Sequence, residues 1–143
     1  MFFGSFNHNL DDKGRLMIPR KMREELGSVV YIMKGFDGSL SIYSEERYQK
    51  LVEEFNRLSF NQQKVRDYLR VQFASTYEMN VDKLGRVQLP TALLNKFNIS
   101  KEVLVLGIGD HIEVWDQVKY AQYESSVRDN FESIAEEIDL KKD

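Results

Sequence analysis

The chain has 143 residues, 42% hydrophobic and 12% aromatic, enough apolar material for one compact domain or for two very small ones sharing a core. It has no cysteine, which excludes disulfides and thiolate metal sites, and no apolar run of about 18 residues, which excludes a membrane-spanning helix. The net charge of −3 argues against a uniformly basic nucleic-acid binder, but it averages over an asymmetry: Lys13, Arg15, Arg20, Lys21 and Arg23 share an acid-free stretch, whereas Glu124 to Asp143 holds seven acids and three cations.

The N-terminal Met1-Phe2-Phe3-Gly4 lacks the basic start and long apolar stretch of a secretory signal, so a soluble intracellular protein is expected. A strand is predicted over residues 3–9. A tight turn follows at 11–14, where Asp11 can accept from nearby backbone amides and Gly14 supplies positive φ. A second strand runs over 15–18. Pro19 suits the first position of a short helix and Gly27 its end. Strands over 29–33 and 39–43 flank the turn Gly35-Phe36-Asp37-Gly38. Ser44 then reads as the N-cap of a helix that buries Tyr48, Leu51, Val52 and Phe55. Val65, Leu69 and Phe73, at steps of four, mark a helical connecting segment.

After that segment the pattern restarts. Leu10-Asp11-Asp12-Lys13-Gly14-Arg15-Leu16-Met17-Ile18-Pro19 matches Val81-Asp82-Lys83-Leu84-Gly85-Arg86-Val87-Gln88-Leu89-Pro90 at an offset of 82 − 11 = 71. Both copies carry D-x-x-G-R, apolar, x, apolar, P, and the two prolines of the chain are the two that close them. Ser5-Phe6 aligns with Thr76-Tyr77. Gly35, Leu40, Ile42 and Tyr43 align with Gly107, Ile112, Val114 and Trp115 after one inserted residue. Asp116 matches Ser44 as an N-cap. Tyr120, Tyr123, Val127, Phe131, Ile134 and Ile138 keep helical spacing, which predicts one long C-terminal helix. The chain therefore divides into a first module (1–58), a connecting helix (59–73) and a second module (74–143). Modules this small cannot bury their faces alone, so an intramolecular pseudo-dimer is expected.

The repeated turn carries an arginine on its exit side. Arginine matches guanine O6 and N7 through two parallel hydrogen bonds, and a two-stranded ribbon fits the major groove. On this reading Arg15 and Arg86 meet bases, while Lys13, Arg20, Lys21, Arg23 and Lys83 meet phosphates, which position without specifying. Asp11 and Asp82 would repel a phosphate, so with Gly14 and Gly85 they are assigned to bracing the turn or orienting the arginine. The bland alternative is an ordinary hairpin turn with surface arginines. Retention of Gly-Arg in both copies weighs against it.

Other chemistry finds little support. His8 and His111 have no metal-spaced partner, so no metal site is expected. Gly107-Ile108-Gly109 lies between strands and reads as a hairpin turn, not a phosphate cradle. Trp115 reads as core. No pair of carboxylates is marked for acid/base work, and a hydrolase built on Asp11, His8 and Asp82 lacks a nucleophile. No catalytic residue, cofactor or small-molecule substrate is expected. The competing non-enzyme reading is an oligomeric scaffold whose basic turns meet an acidic partner.

Met1-Phe2-Phe3-Gly4, His8-Asn9-Leu10-Asp11-Asp12-Lys13-Gly14-Arg15, Ile18-Pro19, Lys21-Met22-Arg23-Glu24 and Asp82-x-x-Gly85-Arg86-Val87 together resemble the MraZ family of bacterial transcription regulators, over the whole chain. The resemblance implies an α+β fold of two tandem AbrB-like swapped-hairpin β-barrel modules with peripheral helices. It implies subunits assembled as a homo-oligomeric ring in the cytoplasm, associated with the nucleoid. It also implies double-stranded DNA as partner, bound at short direct repeats before the division and cell-wall gene cluster, including the protein's own gene. The DNA-binding face would be Asp11 to Arg15 and Asp82 to Arg86. One departure stands out. Pro19-Arg20-Lys21-Met22-Arg23 aligns with Pro90-Thr91-Ala92-Leu93-Leu94, and Leu84 aligns with Lys13, so the second turn is expected to be poorer in cations and Arg86 to contribute less than Arg15.

Overall fold

The structure, a computed structural model, describes residues 1–138. The end of the acidic run and of the second expected module, residues 139–143, lies outside the described residues. In the first repeat β1 (Ser5–Asn9), β2 (Arg15–Met17), α1 (Arg20–Leu26), β3 (Val29–Lys34), β4 (Leu40–Ser44) and α2 (Glu45–Asn56) follow in order. Helix α3 (Gln63–Ala74) connects to the second repeat, which comprises β5 (Tyr77–Asn80), β6 (Arg86–Gln88), α4 (Thr91–Lys96), β7 (Glu102–Gly107), β8 (Ile112–Asp116), α5 (Gln117–Arg128) and α6 (Phe131–Glu137).

The repeats are interleaved rather than set side by side. One antiparallel sheet has the order β1-β7-β8-β4-β3-β5, so the first strand of each repeat pairs with the third strand of the other. Strands β4 and β8 join the halves at the centre, with Leu40 opposite Val114. A second sheet consists of β2 and β6 alone, one strand from each repeat. Period-two alternation explains the packing: Val30 and Ile32 of β3, and Val103 and Val105 of β7, point inward and are fully buried. They meet Leu16, Ile18, Val87 and Leu89 from the ribbon side in one hydrophobic cluster. Neither repeat supplies all the walls of this core.

Ser44 and Asp116 cap α2 and α5 as expected, their side chains accepting from Arg47 N and Lys119 N. Trp115 is core, with the rings of Tyr120 and Tyr123 at 5.2 and 5.0 Å. Pro19 sits one residue earlier than expected, at the N-cap of α1, because its ψ of 134° is extended and only its carbonyl joins the helix. The single long C-terminal helix is a correction. Asp129 and Asn130, weak helix formers that favour turns, split the stripe into α5 and α6. The stripe is not buried either: Phe131, Ile134 and Ile138 are exposed. Among the described residues no helix is long and apolar enough to cross a membrane.

Candidate nucleic-acid interface

The same loop is built twice, atom for atom. In the first copy Gly14 N donates to Asp11 O, and Asp11 N to Arg15 O. Asp11 Oδ1 accepts the amides of Lys13 and Arg15, both at 2.9 Å, and Oδ2 accepts Arg15 Nε at 2.6 Å. In the second copy Asp82 Oδ1 accepts the amides of Leu84 at 3.0 Å and Arg86 at 2.8 Å, and Oδ2 accepts Arg86 Nε at 2.9 Å. Gly14 and Gly85 hold φ of 77° and 86°, which closes each turn. Each carboxylate thus ties up the Nε edge of its arginine. The terminal Nη atoms make no hydrogen bond among the described residues, so each guanidinium keeps its two-donor fork free for a partner.

These hydrogen bonds also set the acidity of the two carboxyls. The amides of Arg15 and Arg86 are the largest cause that holds Asp11 and Asp82 below the ordinary aspartate value near 3.8, with the guanidinium bonds adding to it against some desolvation. A depressed pKa means that the turns are favoured while the carboxylates are charged. That contribution is present above pH 3.8 and is lost as pH falls through the lowered values. We expect carboxyl-carbon NMR titration to give midpoints for both residues below 3.8. Midpoints at or above 3.8 would contradict the hydrogen-bonded loop.

The ribbon places the two loops back to back. Leu16 lies opposite Val87, both buried, with Arg15 opposite Gln88 and Met17 opposite Arg86 on the outer face. The exchange is reciprocal: Ile18 N donates to Gly85 O at 2.9 Å and Leu89 N to Gly14 O at 3.2 Å. Because these pairs differ by the same offset of 71, the contacts of one turn reappear at the other with the repeats exchanged. Arg15 and Arg86 end up nearly equally accessible, at 28% and 27%.

The expectation of a cation-poor second turn is corrected by this exchange. The residues that follow Pro19 do not serve the first turn alone. Arg23 lies under the second turn, where a Cβ on Gly85 would come within 2.6 Å of its Cζ and Nε. The first turn is backed by Leu94 and by Gln88, whose Nε2 donates to Lys13 O at 2.7 Å. Lys101 of the second repeat pairs with Asp12 at 2.7 Å beside it. Lys13 and Lys83 are exposed at the two tips, and Arg20 and Lys21 are exposed at the start of α1. Lys21 lines a hollow with residues 1–6 and Met22 rather than with either turn. Met17, Gln88 and Lys101 were not singled out by sequence as parts of the site, and Arg23, read from sequence as a phosphate contact beside the first turn, lies instead at the second. The repeat offset pairs 17 with 88 and 23 with 94, but only the strand exchange shows which turn each one reaches.

Gly85 should therefore tolerate substitution worse than Gly14. A valine at positive φ is strained at both, by roughly 1–3 kcal/mol. At Gly85 it must also displace Arg23, which is anchored by bonds to Ile18 O at 2.8 Å and Met17 Sδ at 3.1 Å. We expect Gly85→Val to lower the urea midpoint more than Gly14→Val. The reverse order would show that Arg23 is not fixed there.

Comparison with known proteins covers both repeats. The family model described as "MraZ protein, putative antitoxin-like" matches residues 1–71 and again 72–142. A protein of Mesoplasma florum named transcriptional regulator MraZ is 45% identical over 139 residues, 96% of this chain and 95% of its own length. Proteins of the same name from Mycoplasmoides gallisepticum and Finegoldia magna are 37% and 35% identical, covering 97% and 95% of this chain and 98% and 95% of their own lengths.

Proposed function

We infer that this chain, which belongs to the MraZ family, is a transcription regulator that binds double-stranded DNA through the β2–β6 ribbon. The observation that carries the reading is the pair of Asp-locked arginines, two matching forks left free on one ribbon. Arg15 and Arg86 would each take a guanine edge in the major groove. Lys13, Lys83, Arg20 and Lys21 would meet phosphates, and Asp11, Gly14, Asp82 and Gly85 would keep the forks in place. The target class is short direct repeats ahead of the division and cell-wall genes and of its own gene, placing the protein in the cytoplasm on the nucleoid. The exchanged strands support the AbrB-like, barrel-forming pseudo-dimer, with the module limits 1–58 and 74–143 flanking the connecting helix.

One ribbon spans only a few base pairs, so selectivity in a genome calls for several subunits on several boxes. The exposed apolar residues Val118, Phe131 and Ile134 support self-association as a ring. The deciding measurement is a footprint on the DNA upstream of its own gene, followed by gel-shift titration of one-box, multi-box and respaced probes at one salt concentration. Multi-box probes should bind much more tightly. Inserting about five base pairs, half a helical turn, should remove most of the gain. No preference for the upstream DNA over shuffled DNA favours the basic scaffold instead and overturns the reading.

A further inference from the structure

We propose that Arg23 is a phosphate-binding residue that gives the ribbon its direction on DNA, an inference that rests on the DNA-binding reading above. Arg23 belongs to the first repeat but sits under the second turn, lining a hollow with Ser28, Asp82, Lys83 and Gly85. Its Nε and Nη2 point inward, to Ile18 O and Met17 Sδ. Among the described residues no carboxylate lies within 4.0 Å of its guanidinium. The carboxylate that lines the same hollow, that of Asp82, is already taken up by two amides and by Arg86 Nε. Arg23 is thus a half-buried, anchored cation without a counter-ion, beside a hairpin that meets a polyanion. A phosphate oxygen supplies the missing charge, and anchoring through two other atoms leaves little side-chain entropy to lose on binding.

The counterpart of Arg23 at the offset of 71 is Leu94, an apolar wedge behind the first turn. Apart from Lys13 at its tip, the cation beside that turn, Lys101, is already neutralised by Asp12. The ribbon is therefore close to two-fold in shape but not in charge. A reader with true two-fold symmetry accepts a non-palindromic box equally in both orientations. An additional, anchored phosphate contact at one end only breaks that tie, so each subunit binds its box in one orientation, with the Arg23 end fixed.

The test compares Arg23→Gln and Arg23→Lys with the parent on a duplex taken from upstream of the protein's own gene, with melting followed in parallel. The chain has no cysteine, so Leu84→Cys at the second tip can carry an iron–EDTA cleavage reagent. The parent should cut at one end of each box. Arg23→Gln should lower affinity for all sequences alike, several-fold, reduce the salt slope by about 0.9, and cut at both ends. Arg23→Lys should keep the slope even if it melts lower, because it keeps the charge and loses the fork. A parent that binds no duplex defeats the DNA reading itself. A parent that binds but cuts at both ends overturns only the inference about Arg23. So does a folded Arg23→Gln with parental slope and one-ended cutting, or an Arg23→Lys that loses as much slope as Arg23→Gln.

Discussion

Arg15→Ala and Arg86→Ala should weaken specific DNA binding by similar amounts, each about 1–3 kcal/mol, and the double variant should bind promoter and shuffled DNA alike. Sequence alone ranks Arg86 lower, because the residues after Pro90 carry no cations. The structure removes that ground. Both arginines have the Nε edge locked by an aspartate, nearly the same exposure and a partner across the ribbon. A fork fixed through Nε is preorganised, so the loss on truncation reflects the contact and not the cost of ordering a free side chain. Because the two sit on adjacent strands, their effects need not add. Gel shifts at one salt concentration, on variants whose melting matches the parent, give the comparison. A folded double variant that still prefers its promoter would falsify base reading by the ribbon. A loss at Arg86 ten times smaller than at Arg15 restores the unequal reading.

The sequence reveals local structure well and exchange poorly. The Asp-x-x-Gly-Arg turns were legible because each is closed within five residues, by chemistry that Asp and Gly alone supply. The caps Ser44 and Asp116 were legible for the same reason. Periodicity located β1 to β4 to within a residue or two, and the repeat implied the same elements in the second half. It could not show that β1 pairs with β7 and β5 with β3, since an alternating strand looks the same whichever neighbour it takes. That gap misplaced Arg23, which sequence proximity assigns to the turn before it and the fold gives to the turn of the other repeat. It also left Met17 and Gln88 as ordinary strand residues, although they complete the outer face. The C-terminal stripe failed differently. Apolar spacing survives a two-residue break, and Asp129-Asn130 is a breaker only by propensity, which spacing ignores.

Interleaving makes a second large effect predictable. Leu16 is fully buried opposite Val87, at the centre of the ribbon. Leu16→Ala leaves a cavity there and should cost about 2–5 kcal/mol, a large share of the roughly 5–15 kcal/mol that a domain has. The consequence should not stay in the first repeat. The buried cluster that Leu16 belongs to includes Val87, Leu89, Val103 and Val105 of the second repeat, and the six-stranded sheet is laced across the repeats at β1–β7 and β3–β5. Neither repeat can keep its sheet if the other unfolds, so unfolding should be one cooperative step. The single tryptophan makes this measurable, since Trp115 lies in β8 of the second repeat, far along the chain from the substitution. Urea unfolding followed by Trp115 fluorescence and by far-ultraviolet circular dichroism should shift together in Leu16→Ala, by the same change in midpoint. DNA binding should fall at temperatures where the variant begins to melt and recover on cooling, because both arginine forks ride on the strand pair that Leu16 supports. If Trp115 keeps the parental midpoint while the dichroism shifts, the repeats unfold as separate units and the shared core does not hold them together.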